Sequence, residues 1–166
     1  MRADPYTREH SEQIMYYAVR MAEVLQLSPE RIEHVRYGAL LHDIGKIGIR
    51  DDILLKPGFL TQKERLMMEQ LLCIGDDIFR GIKALHHVTA MIEYHHERID
   101  GQGYPSGIDG SQLSEDIRIL AIADSYDAMT SNRAYQKGMP PEEAFRVLLA
   151  GRGMYWIVRR LICLLS

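Results

Sequence analysis

The residues best suited to chemistry begin with His42 and Asp43, side by side at the end of the apolar run Ala39-Leu40-Leu41, with Gly45 and Lys46 close behind. A neutral imidazole and a carboxylate each offer a lone pair to a divalent ion, so the pair is a start on a metal site. Lys46 adds a mobile cation close to that ion. A His-Asp pair also arises by chance. Its company downstream gives it weight: Tyr94-His95-His96-Glu97, Asp100-Gly101-Gln102-Gly103-Tyr104-Pro105 and Ala123-Asp124-Ser125-Tyr126-Asp127.

Helical periodicity must bring these stretches together. Asp4 before Pro5 reads as a cap and first helical proline. Ile14, Tyr17, Ala18, Met21, Ala22 and Leu25 follow at helical spacing, and the stripe extended back from Ile14 lands on His10. Ser28-Pro29-Glu30 opens a second helix whose stripe, Ile32, Val35 and Ala39, continues to His42. Thr61-Gln62-Lys63-Glu64 is a capping-box pattern for a third helix, with Met67, Leu71 and Ile74 inward. A fourth runs from about residue 82, with Leu85, Val88 and Ile92 inward, and ends at His95 and His96.

Residues 97–113 hold four glycines and one proline and read as a long loop. Its aromatic and charged residues favour a functional loop over a disordered one. Ser114 caps a fifth helix with Ile117, Leu120, Ala121 and Ala128 as its stripe and Asp124 in the middle. Pro140-Pro141-Glu142-Glu143 opens a sixth, with Ala144, Phe145, Leu148 and Leu149 inward, and the tail from Met154 suggests a seventh. No period-2 run points to strands. The fold class expected is all-α, a compact helical bundle with one long functional loop.

The bland reading of a lone inward histidine such as His10 is a core residue with a hydrogen-bond partner. The pair His95-His96 is different, because consecutive helical residues point about 100° apart and reach one site only where the helix ends against it. A carboxylate inside an apolar stripe, Asp124, is costly unless paired or bound to a cation. Four inward imidazoles and two inward carboxylates, His10, His42, His95, His96, Asp43 and Asp124, resolve that cost together if they share metal. His34, His86 and His87 read as surface residues. Mixed His and carboxylate ligands without cysteine suit Fe, Mn, Zn or Co rather than Ca or Mg. Asp43 could bridge two ions, which would clamp the attacking and leaving oxygens of a phosphoryl displacement. Lys46 could then stabilise the developing charge.

Composition narrows the partners. The net charge of −3 argues against a DNA binder that works by bulk positive charge. Cys73 and Cys163 are far apart, so neither a disulfide framework nor a thiolate zinc site is expected. The N-terminal residues lack the apolar run of a signal peptide. Arg159 and Arg160 interrupt the apolar tail, which is too short to span a bilayer of about 20 apolar residues. The expectation is a cytoplasmic protein with no membrane insertion.

The motifs also resemble a known family. Residues 42–49, 56–61, 95–105 and 118–135 look like the HD-GYP subgroup of the HD-domain metal-dependent phosphohydrolases, and residues 4–11 are similar to its first helix. Several long motifs occur in the right order over residues 4–150, leaving 151–166 as a divergent tail. The resemblance implies a cyclic di-GMP phosphodiesterase that yields pGpG, GMP or both. It implies a two- or three-metal centre of iron or manganese, of which two ions are expected here, with signalling proteins as partners. Carried over, His10, His42, Asp43, His95, His96 and Asp124 match metal ligands, Asp43 matches the bridging carboxylate and Lys46 the catalytic lysine. Gly103, Tyr104, Pro105 and Arg133 match residues at the substrate.

The chain departs from the pattern in places. Leu71 stands where the family carries a ligand histidine, which would leave the second ion with Asp43, His95 and His96, or leave one ion only. Tyr6 replaces the glutamate of three-metal members, and Gln136 replaces a common basic residue. A second reading follows: a weakened or inactive domain that binds nucleotide or a partner protein.

Overall fold

The computed structural model describes residues 5–45, 61, 63, 79, 85–132 and 137–151. Among these, five α-helices form, α1 (Pro5–Val24), α2 (Pro29–Leu41), α3 (His86–Tyr94), α4 (Glu115–Thr130) and α5 (Pro141–Ala150), with a short 3-10 turn at Gly110–Gln112 and no strand. The all-α expectation holds. The third expected helix, Leu71 and the tail lie outside the described residues.

Local signals start the helices where the sequence places them. Ser28 caps α2, its side chain accepting the Arg31 amide. Ser114 caps α4 in the same way, accepting the Ile117 amide. Glu115 and Asp116 in the first turn of α4 suit its positive end. Both also meet Arg31 of α2, which ties the starts of the two helices together and raises the Arg31 pKa, chiefly through the Asp116 hydrogen bond.

Helix α4 is the hub: α1, α2, α3 and α5 all pack against it. Ile117, Ile119, Leu120, Ala121, Ile122, Ala123 and Tyr126 are all buried, so nearly its whole circumference is covered. That explains two differences from the sequence reading. Ile119, Ile122, Ala123 and Tyr126 join the core although they lie off the expected stripe, whereas Ala128 is only half-buried. A helix wrapped by four neighbours has no single inner face.

The core combines Ile14, Ala18, Met21 and Ala22 of α1 with Val35 and Ala39 of α2, Met91 of α3 and Ala144, Phe145 and Leu148 of α5. Leu149, expected inward, is exposed; α5 buries a narrow stripe at 144, 145 and 148, packed against α4. Tyr126 stacks on Phe145 and meets Tyr17 edge-on, which joins α1, α4 and α5. His86 and His87 are exposed as expected, but His34 is half-buried and its ring stacks on His87 at 4.4 Å, linking α2 to α3.

Candidate metal centre

Helix ends deliver the site. His10 comes from the second turn of α1; His42 is the C-cap of α2 with Asp43 next; His95 is the C-cap of α3 with His96 next; Asp124 rises from mid-α4. The imidazoles form a chain, with ring centroids 5.7 Å apart for His10–His42, 5.2 Å for His42–His95 and 4.0 Å for His95–His96. His10 Nε2 lies 3.7 Å from Asp43 Oδ2 and 3.8 Å from Asp124 Oδ1, and His42 Nε2 lies 3.3 Å from Asp43 Oδ2. All six expected ligands thus meet.

They fall into two trios, His10–His42–Asp43 and His95–His96–Asp124, each with its candidate ligand atoms within 4.8 Å of one another. The resemblance pairs Asp43 with His95 and His96. In the structure Asp124 also lies within reach of His95 and His96.

Two histidines are aimed by the backbone. His42 Nδ1 donates to the Ala39 carbonyl at 2.8 Å, and His95 Nδ1 donates to the Ile92 carbonyl at 2.9 Å. Each bond fixes the tautomer and leaves Nε2 to point into the site. Both Nε2 atoms are buried and, among the described residues, make no well-formed hydrogen bond; that of His42 has only the 3.3 Å contact with Asp43. A buried polar atom without a partner is costly, and a lone pair facing a carboxylate calls for a cation between them. The donor set therefore fits a divalent metal.

Electrostatics agree. Burial and the neighbouring His42 push the His95 pKa down to about 4, so this imidazole keeps its lone pair at neutral pH. Burial also opposes charge on His42, but Asp43 and then Asp124 outweigh it and hold its pKa above the ordinary histidine value. The site thus attracts a cation, proton or metal, at His42.

The sequence reading missed Asp127. His10 Nδ1 donates to Asp127 Oδ2 at 2.6 Å, and Ser131 Oγ donates to Asp127 Oδ1 at 2.8 Å. Asp127 is 1% exposed, whereas Asp124, expected to be the buried carboxylate of this helix, has a side chain 21% exposed. The available signal was spacing: Asp127 lies three residues after Asp124 and so shares its face.

The long loop folds back on the end of α3. The Tyr104 amide donates to the His96 carbonyl at 3.4 Å, and the Tyr104 ring stacks on the His96 ring at 4.8 Å. The Tyr104-Pro105 peptide is cis. A side chain on Gly103 would meet the Glu97 and Arg98 backbone at 2.3–2.6 Å, so only glycine fits there. Glu97 Oε1 accepts the amides of Ser106 at 2.6 Å and Gly107 at 2.9 Å. Lys46 and Arg133, both expected at the site, lie outside the described residues. Beside His10 and Asp127 a cleft of about 390 Å³ opens between α1 and α4, lined also by Glu9, Gln13, Tyr17 and Thr130.

Residues 2–160 match the HD domain family. The chain belongs to that family of all-α proteins. Within it the motifs at 42–49 and 95–105 mark the HD-GYP subgroup. Similar proteins include a cyclic di-GMP phosphodiesterase of Thermotoga maritima, 43% identical over 145 residues that cover 86% of this chain and 39% of the relative. The cyclic di-GMP phosphodiesterase response regulator RpfG of Xanthomonas campestris is 40% identical, covering 90% of this chain and 40% of the relative. A 3'3'-cGAMP-specific phosphodiesterase of Vibrio cholerae is 35% identical over 87% of this chain and 31% of the relative. The chain thus spans two fifths or less of these relatives' lengths. Among solved structures, Bd1817, an HD-GYP-type protein of Bdellovibrio bacteriovorus, superposes with a TM-score of 0.75 at 20% identity over 96% of this chain and 51% of its own. The HD domain of the L. monocytogenes phosphodiesterase PgpH gives 0.65 at 17% identity over 97% and 88%. Both show the same fold. Among the described residues no helix is long and apolar enough to cross a membrane.

Proposed function

We propose that this domain is a metal-dependent cyclic dinucleotide phosphodiesterase that hydrolyses cyclic di-GMP to pGpG, GMP or both. The observation that carries the reading is the convergence of six ligand-type side chains in two trios, with the buried Nε2 atoms of His42 and His95 turned into the site. Relatives named as phosphodiesterases of cyclic di-GMP and 3'3'-cGAMP support the substrate class.

His10, His42 and Asp43 would hold one ion, and His95, His96 and Asp124 a second; iron or manganese suits this set. Ions there would supply hydroxide at neutral pH and positive charge at the reacting phosphate. The protein's own part is orientation. The Ala39 and Ile92 carbonyls and Asp127 aim three imidazoles, and the buried core beneath limits water. Lys46 and Arg133 act as local cations for the anionic diester, a need the net charge of −3 leaves to them. The cleft beside His10, with its carboxylate, amide and hydroxyl groups, has room for a nucleoside part of the ligand.

Leu71 supports a second reading, in which the domain binds nucleotide or a signalling partner without turnover. Competition assays separate the possibilities. Purified protein loaded anaerobically with Fe(II) or Mn(II) is offered cyclic di-GMP, 3'3'-cGAMP and pGpG. Cyclic di-GMP is expected to be consumed fastest. Faster loss of 3'3'-cGAMP would reassign the substrate, and tight binding of cyclic di-GMP without product would favour the second reading.

A further inference from the structure

We infer that Tyr104 is a positioning residue for His96, clamped in place by Glu97, so that the loop carrying Gly103-Tyr104-Pro105 sets the orientation of a metal-ligating imidazole. The inference rests on the metal-centre reading above and assigns the loop a role beyond substrate contact.

The geometry gives three ties between the loop and the turn that bears the ligands. The Tyr104 amide bonds to the His96 carbonyl, so the loop backbone is fixed to the ligand's own residue. The Tyr104 ring covers one face of the His96 ring, with 25° between the planes. Offset aromatic contact of this kind restricts rotation of the covered imidazole about its side-chain bonds. The third tie is Glu97. It follows His96 directly, is 4% exposed, and one carboxylate oxygen accepts the consecutive amides of Ser106 and Gly107.

Glu97 is an expensive way to hold a loop. Its other oxygen, Oε2, is buried with no hydrogen-bond partner among the described residues. Burying a carboxylate so incompletely satisfied costs stability, and an apolar residue would avoid it. What the carboxylate provides is a fixed turn at Ser106–Gly107, just past Tyr104. Gly103 completes the clamp, because its bare Cα lets the loop lie against the Glu97–Arg98 backbone. Gly107 supplies the positive φ of 62° that the turn needs. The chain is therefore held on both sides of Tyr104, with its ring against His96.

The test counts Mn(II) bound to the full chain from the electron paramagnetic resonance signal of the free ion. Tyr104→Phe keeps the ring and should bind Mn(II) within about twofold of the parent. Tyr104→Ala should weaken one class of site roughly tenfold, the range typical when a ligand's support is removed, and leave the other class unchanged. Glu97→Ala should do the same. Glu97→Gln retains an oxygen acceptor and should restore binding. Combining Glu97→Ala with Tyr104→Ala should weaken that site no further than either alone, since both act through one contact. Amide exchange at Ser106 and Gly107 should quicken in Glu97→Ala but not in Tyr104→Phe.

Parental Mn(II) binding in Tyr104→Ala, with only a raised KM for cyclic di-GMP, would overturn the inference and leave Tyr104 a substrate contact. Additive losses in the double variant would also overturn it. If Glu97→Ala does not fold, the Tyr104 pair still decides. A parent chain that takes up no Mn(II) would instead sink the metal-centre reading itself, a different failure.

Discussion

The Nδ1 of His10 donates to Asp127 Oδ2 at 2.6 Å, joining a candidate ligand on α1 to a fully buried carboxylate on α4. The bond directs His10 Nε2 at Asp43 and Asp124, and Ser131 holds the carboxylate from behind. A buried Asp–His–metal arrangement raises the basicity of the ligand and fixes its ring.

Asp127→Asn should therefore lower metal affinity by roughly 10–100-fold while the helices stay folded, because the amide can bond to His10 but carries no charge. Ser131→Ala should cost far less. Mn(II) titration followed by circular dichroism on the same samples checks both. Equal affinity in Asp127→Asn and the parent would remove the supporting role.

Asp43→Ala should abolish metal binding at the His10–His42 trio and all turnover, since Asp43 lies within reach of both imidazoles. Metal content of the purified variant, measured by mass spectrometry, gives the answer, and full metal with full turnover would show the assignment to be wrong.

Gly103→Ala should displace the loop, since the new methyl would overlap backbone atoms that cannot move aside. Overpacking of this kind costs about 1–3 kcal/mol. Urea denaturation should show the loss, and a variant as stable as the parent with an unmoved loop would contradict the close approach.

Proton release gives a pH prediction. With its pKa raised by Asp43 and Asp124, His42 in the metal-free chain carries more proton at neutral pH than an ordinary histidine. His95, down to about 4, carries almost none. A metal needs both lone pairs, so binding must displace the His42 proton and affinity should rise with pH through the neutral range. Calorimetric titration in two buffers of different ionisation enthalpy should give different heats. Identical heats would mean that no proton leaves.

Much of this was legible in the sequence, for physical reasons. Helices buried on one side announce themselves by stripe, which is why His10 and His42 could be placed inward from Ile14 and Ala39. Caps at Ser28 and Ser114 are short-range chemistry and were equally plain. Helix α4 was harder. Covered on nearly every side, it has no stripe that separates the partly exposed Asp124 from the fully buried Asp127. Leu149 is exposed because, among the described residues, α5 turns 144, 145 and 148 to the core and leaves 149 off that stripe. The His34–His87 stack and the Tyr104–His96 stack join residues far apart or across a loop, and no local pattern encodes such contacts.

Hydrolysis of cyclic di-GMP tests the central claim most directly. The protein is loaded anaerobically with Mn(II), incubated with the nucleotide beside Asp43→Ala and Leu71→His, and the products are separated by anion exchange. The parent chain should yield pGpG or GMP, Leu71→His should yield product faster, and Asp43→Ala or a chelated sample should yield none. Intact cyclic di-GMP in the parent and in Leu71→His alike, with metal bound, would contradict that claim.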